Sequence, residues 1–187
     1  MEVKGSAALV TGANRGIGRA FTRARLTRGA AKVYAAVRNP ENAVAAAAAL
    51  ASDTTVVIDN AGIARAFAPV LAANGGGALV NVLSVASWRV KPRRPGHAAP
   101  KAAEWSLTNA LRAGLRGQGT LVVGVHVGPV DTDATAGWDV PKLPAAQVAA
   151  RPLDAIGSGE AEALVDEVSR RVRAVLSGPV ELLEPAP

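Results

Sequence analysis

Short runs of branched apolar residues alternate along the chain with Ala-rich stretches of helical period. Ala7-Ala8-Leu9-Val10-Thr11, Val33 to Val37, Thr55-Val56-Val57-Ile58, Ala78 to Leu83 and Thr120 to Val127 read as five strands. Gly16 to Arg28 reads as a helix. Its apolar members Ile17, Ala20, Phe21 and Ala24 fall at i, i+3, i+4 and i+7, with Arg19, Arg23 and Arg25 on other faces and Gly29 as C-cap. Further helices are expected over Glu41–Leu50, Phe67–Ala73, about Ala99–Arg116 and Leu164–Leu176. Asp131 to Pro144 reads as a long loop, and residues 131–150 as a substrate-loop region. The tail, 184–187, is expected to fray. Strands that are nearly continuously apolar are buried on both faces. Alternation with helices therefore predicts a doubly wound parallel sheet in a three-layer α/β/α arrangement. No repeat or linker divides the chain, so 1–187 reads as a single domain.

Composition narrows the chemistry. Half of the 187 residues are apolar, with Ala foremost, and only 3% are aromatic. With no Cys, a disulfide framework, thiol catalysis and Cys-ligated metals are excluded. His97 and His126 are the only histidines, too few for a histidine-rich metal site, so no metal is expected. Met1 to Gly5 lacks the apolar stretch of a leader, and Asn42–Ser52 is too short to span a bilayer. These readings point to a cytoplasmic protein without membrane contact. The net charge is +6. Its densest cluster, Lys91-Pro92-Arg93-Arg94, has no interleaved aromatics, so it reads as a solvated loop, not a nucleic-acid platform. The basic excess instead suits an anionic small ligand.

Thr11-Gly12-Ala13-Asn14-Arg15-Gly16-Ile17-Gly18 joins the first strand to the first helix. Gly12 permits a tight turn, Gly16 lets a pyrophosphate approach the backbone, and Gly18 lets the helix pack on the sheet. The helix N-terminus offers unpaired N–H groups to the phosphates. This is a Rossmann-type dinucleotide site. The second strand ends at Arg38, with no acid before Glu41. Arg15 and Arg38 suit a 2′-phosphate, which favours NADP(H) over NAD(H).

From Lys4 to Asp133 the chain resembles the short-chain dehydrogenase/reductase family. The resemblance rests on Thr11-Gly12-x-x-x-Gly16-x-Gly18, Asn60-Ala61-Gly62, Asn81-Val82-Leu83-Ser84, Lys101, and Gly128-Pro129-Val130-Asp131-Thr132. It implies hydride transfer between NADP(H) and a small-molecule carbonyl or alcohol. It also implies that Gly12, Asn14, Arg15, Gly16, Ile17, Gly18 and Arg38 hold the adenosine half. Asn60, Ala61, Gly62, Lys101, Gly128, Val130 and Thr132 would hold the rest, and Ser84 would orient the substrate oxygen. The family's acid/base tyrosine position, four residues before Lys101, is His97. Imidazole titrates at about 6.5, lower beside an ammonium, so it suits alcohol oxidation better than carbonyl reduction. Pro100 suits the first turn of its helix, which would leave His97 outside it. No residue matches the family's catalytic Asn. The segment between Leu50 and Asn60 is too short for the usual further unit, so the fold is expected to be shortened by about one strand-helix unit, with Thr55–Asp59 as the central strand. Val127 stands where the family has proline, and Trp88, Trp105 and Trp138 are candidates to line a substrate cavity. A shortened sheet exposes an edge, so a homo-oligomer is expected. Impaired activity, or a catalytically silent nucleotide-binding pseudoenzyme or scaffold on the same fold, is the alternative. A Ser84-His97-Asp131 hydrolase reading lacks the Gly-x-Ser-x-Gly elbow.

Overall fold

Residues with branched or long apolar side chains on both sides of the backbone can be buried only between two helical layers. The computed structural model, which describes residues 2, 4–36, 53–59, 64–92 and 95–184, has that arrangement. In chain order it contains β1 (Ala7–Thr11), α1 (Gly16–Thr27), β2 (Lys32–Ala36), β3 (Thr54–Asp59), α2 (Ala64–Ala73), β4 (Gly77–Val82), α3 (Pro95–Leu115) and β5 (Thr120–His126). A two-residue pair follows, β6 (Val130–Asp131) with β7 (Leu143–Pro144), then α4 (Ala145–Ser158), β8 (Glu162–Leu164) and α5 (Glu167–Val175). The main sheet runs β2-β1-β3-β4-β5-β8, with every neighbouring pair parallel.

The period of two sorts the side chains. Val10, Ile58, Val80, Val82 and Val123 face a layer that includes Phe21 of α1 and Leu153 and Ile156 of α4. Leu9, Val57, Leu79 and Val122 face Phe67 and Leu71 of α2, with Leu111 and Leu115 of α3 beside them. The doubly wound three-layer α/β architecture is therefore present. β3 lies between β1 and β4, the central position expected for Thr55–Asp59. After β1 the chain places β2 on one side and then β3 on the other, so the strand order reverses at the carboxyl end of β1. Open parallel sheets bind ligands at such a switch point.

The structure corrects several expected boundaries. The long helix begins at Pro95, which takes the first helical position. Pro100 therefore sits inside the helix, and so does His97. Leu164 belongs to β8, which extends the sheet by pairing with β5. The last helix starts after Asp166, whose carboxylate accepts from the Ser169 N–H at 2.7 Å in a capping box. The 131–150 segment is not one loop: a 3₁₀ turn over 133–135, the β6–β7 pair and the first part of α4 occupy it. The stripe Val148, Ala149, Pro152, Leu153 and Ile156 is buried and explains α4. Val37, the 41–50 helix, Asn60-Ala61-Gly62, Arg38, Arg93, Arg94 and residues 185–187 lie outside the described residues. Among the described residues no helix is long and apolar enough to cross a membrane.

Candidate cofactor-binding and active site

The turn after β1 is built by its glycines. Gly12 and Gly16 adopt φ of +62° and +52°, where a side chain is strained. A Cβ on Gly18 would lie 2.3 Å from the Gly12 carbonyl oxygen, so only glycine lets α1 pack on the turn. Among the described residues a Cβ on Gly12 would meet nothing within 4 Å, so none of them closes that side of the turn. Arg15 caps α1 with extended backbone and no side-chain hydrogen bond, and the first turn carries no acid. The leading N–H groups of α1 thus have no cap from Arg15 and no acid within their own turn, which fits a diphosphate. The Ala13 N–H donates to the Ala36 carbonyl at 3.3 Å and ties the turn to the end of β2.

The 128–132 segment meets the glycine turn here. A Cβ on Gly16 would lie 3.3 Å from Thr132 Cγ2, so the glycine turn and the 128–132 strap are in contact range. Thr132 caps the 133–135 turn, Val130 is buried in β6, and Ile17 packs against both neighbouring cores. Asn14 and Arg15 are exposed. The Arg15 guanidinium is 3.9 Å from the Asp133 carboxylate, an exposed pair of little energetic weight. The Gly128 N–H donates to Asp166 Oδ2 at 2.7 Å. Asp166 therefore both caps α5 and fixes the strap. Its signal was the Asp-x-x-Ser box at 166–169, outside the recognised motifs.

The candidate catalytic residues gather past the carboxyl end of β4. Ser84 caps a 3₁₀ turn over 85–87, and its Oγ accepts from the Ala86 N–H at 3.1 Å. His97 and Lys101 are one turn apart on α3 and so share a face. His97 is exposed, and Lys101 is about four-fifths buried. The Lys101 ammonium donates to the Val82 carbonyl at 2.7 Å and to Glu104 Oε2 at 2.6 Å. Sequence reasoning missed Glu104, although an acid three residues after a helical lysine is a standard pairing distance. Asn81 Nδ2 donates to Thr108 Oγ1 at 2.9 Å and joins β4 to α3.

His126 supports this corner from beneath. It is 1% exposed and stacks on Trp88 with ring centroids 3.6 Å apart. Trp88 meets Trp105 edge-on at 6.1 Å. Trp88 is therefore a buried packing element, not the cavity wall expected for it. Ser87 Oγ lies 3.4 Å from His126 Nδ1 and donates to the Ser84 carbonyl at 2.6 Å. Burial pushes the His126 pKa down to about 3; the nearby Ser84 carbonyl opposes that shift, and the charges of Arg173 and Arg112 add to it. His126 is thus a neutral structural ring, distinct in role from exposed His97.

Comparison with known proteins accords with this geometry. Residues 60–142 match the short chain dehydrogenase family model. A short chain dehydrogenase from Burkholderia cenocepacia J2315, solved in complex with NADP, is 31% identical over 95% of both chains, with a TM-score of 0.86. A short chain dehydrogenase/reductase from Burkholderia phymatum, in complex with NAD, is 21% identical over 99% of this chain and 97% of its own, with a TM-score of 0.76. The bulky-bulky ketone specific alcohol dehydrogenase from Comamonas testosteroni is 18% identical over 93% and 94%, with a TM-score of 0.73. No curated protein matches the chain. An open glycine turn at the switch point of a parallel sheet and a 31% identical relative of equal extent lead to one conclusion: the chain belongs to the short-chain dehydrogenase/reductase family of oxidoreductases.

Proposed function

We propose that the protein binds NADP(H) in preference to NAD(H) and exchanges hydride with a small-molecule carbonyl or alcohol. The observation that carries this reading is the α1 N-terminus at the strand-order reversal, which has no side-chain cap from Arg15, no acid in its first turn and no described residue against Gly12. Gly12, Asn14, Arg15, Gly16, Ile17 and Gly18 would hold the diphosphate and adenosine side, with Arg38 on the 2′-phosphate. Asn60, Ala61, Gly62, Lys101, Gly128, Val130 and Thr132 would line the nicotinamide side. Bound there, the cofactor supplies the hydride acceptor or donor. Ser84 Oγ orients the substrate oxygen, and the His97 ring takes the proton of an alcohol. The NADP complex of the B. cenocepacia relative supports the choice of cofactor.

A second reading, a silent nucleotide binder, is favoured by one observation: the Lys101 ammonium is already engaged by Val82 and Glu104. Thermal melting and turnover separate the two. On the enzyme reading NADPH raises the melting temperature, the wild type oxidises alcohols with NADP⁺, and His97→Tyr raises carbonyl reduction at least tenfold, since a positioned acid contributes roughly 10²–10⁴. A melting shift with no turnover by either form across a broad carbonyl and alcohol panel selects the silent binder. The lack of any shift removes both.

A further inference from the structure

Lys101 and Glu104 form a pair that no recognised motif requires. Their side chains are 18% and 19% exposed, and the ammonium oxygen contact is 2.6 Å. An ammonium has three N–H donors. Two are spent inside the chain, one on the Val82 carbonyl at the end of β4 and one on the Glu104 carboxylate. Glu104 lies three residues further along α3, which runs from the carboxyl edge of the sheet back toward the start of β5. Its pull on the ammonium is therefore directed away from the carboxyl edge of the sheet, where the glycine turn lies. The helical turn that carries the glutamate is tied to β4. The Glu104 backbone carbonyl accepts from Thr108 Oγ1 at 2.7 Å, and Thr108 accepts in turn from buried Asn81 at 2.9 Å. An incoming ligand thus meets a neutralised, pre-engaged lysine in place of a free cation.

We propose that Glu104 is an internal competitor for the Lys101 ammonium and sets the affinity of the site for its dinucleotide. The inference rests on the reading of Lys101 as a cofactor-binding residue. Glu104 acts only through Lys101, so it is a positioning residue. Removing its charge has two opposite effects. The unliganded protein is weakened, because a largely buried ammonium loses its counter-ion. Ligand binding is strengthened, because the ammonium regains a donor and its charge.

The test is calorimetric titration of NADPH into the wild type, Glu104→Gln, Lys101→Met and the double variant, with melting temperatures of each. Glu104→Gln is expected to bind NADPH about tenfold more tightly, the effect of about one hydrogen bond to a charged group. It should melt lower alone and show a larger rise with NADPH. In the Lys101→Met background the same substitution should leave affinity unchanged, a coupling that a general packing role would not produce. Glu104→Asp, which keeps the charge but withdraws it by one methylene, should fall between wild type and Gln. It carries the test if the Gln variant does not fold. Wild-type binding with no gain in Glu104→Gln, or an equal gain without Lys101, overturns the proposal and leaves the cofactor reading standing. Binding by none of the four forms overturns both.

Discussion

Arg25→Leu is expected to stabilise the protein by about 3 kcal/mol and to raise its melting temperature by roughly 6–12 °C. The arginine occupies the last turn of α1, on the face that buries Phe21, and is 0% exposed. Its Nη2 donates to Ser6 Oγ at 2.5 Å, but Nε and Nη1 find no hydrogen-bond partner among the described residues. Burial, with a smaller contribution from the nearby Arg28 charge, lowers the Arg25 pKa from the usual guanidinium range to about 10. A base with a depressed pKa in the fold destabilises the fold while it is charged. Below about pH 10 both folded and unfolded chains carry the proton, so the whole penalty is present at neutral pH, and it is relieved only as pH rises above about 10. Leucine fills most of the volume without the charge. Differential scanning calorimetry of the two proteins decides the matter: a Leu variant that melts at or below the wild-type temperature would mean that the guanidinium is compensated.

The second large effect is acid lability centred on His126. Its folded pKa of about 3 lies below the ordinary value of 6.5. The unfolded chain therefore binds a proton between these values that the fold does not. Stability from this site is complete above about pH 6.5 and is lost as pH falls, by about 1.4 kcal/mol per pH unit, until about pH 3. At about pH 4.5 the loss is about 3 kcal/mol, or roughly 5–10 °C in melting temperature. His126→Gln loses the Trp88 stack and starts less stable, but its melting temperature should fall less steeply between about pH 6.5 and about pH 4.5. Equal slopes for the two proteins would place the lability elsewhere.

The layers and the site were legible to different extents, and the reasons are physical. A strand buried on both faces is apolar almost throughout, so Ala7–Thr11 and Thr120–Val127 stood out, and the observed fifth strand ends one residue earlier, at His126. A glycine triplet at a strand-helix junction carries its own geometric reason, and Gly18 could be read because no side chain fits there. β8 was hidden because three residues, Glu162-Ala163-Leu164, are too few to show a period; only pairing with β5 makes them a strand. The start of α3 was misread because two prolines compete for the first turn. Pro95 takes the place where its missing N–H costs nothing, and Pro100 is carried within the helix. That choice brings His97 and Lys101 onto one face, which spacing alone left open. Glu104 and Arg25 were invisible for a different reason. Whether a charged side chain is solvated, paired or stranded depends on neighbours distant in sequence.

Titration calorimetry of the wild-type protein with NADPH and with NADH tests the central claim most directly. Saturable binding of one dinucleotide per chain is predicted, with NADPH at least tenfold tighter through contacts to its 2′-phosphate. No saturable heat from either nucleotide would contradict a diphosphate seated at the opening of α1, and tighter binding of NADH would contradict the role given to Arg15 and Arg38.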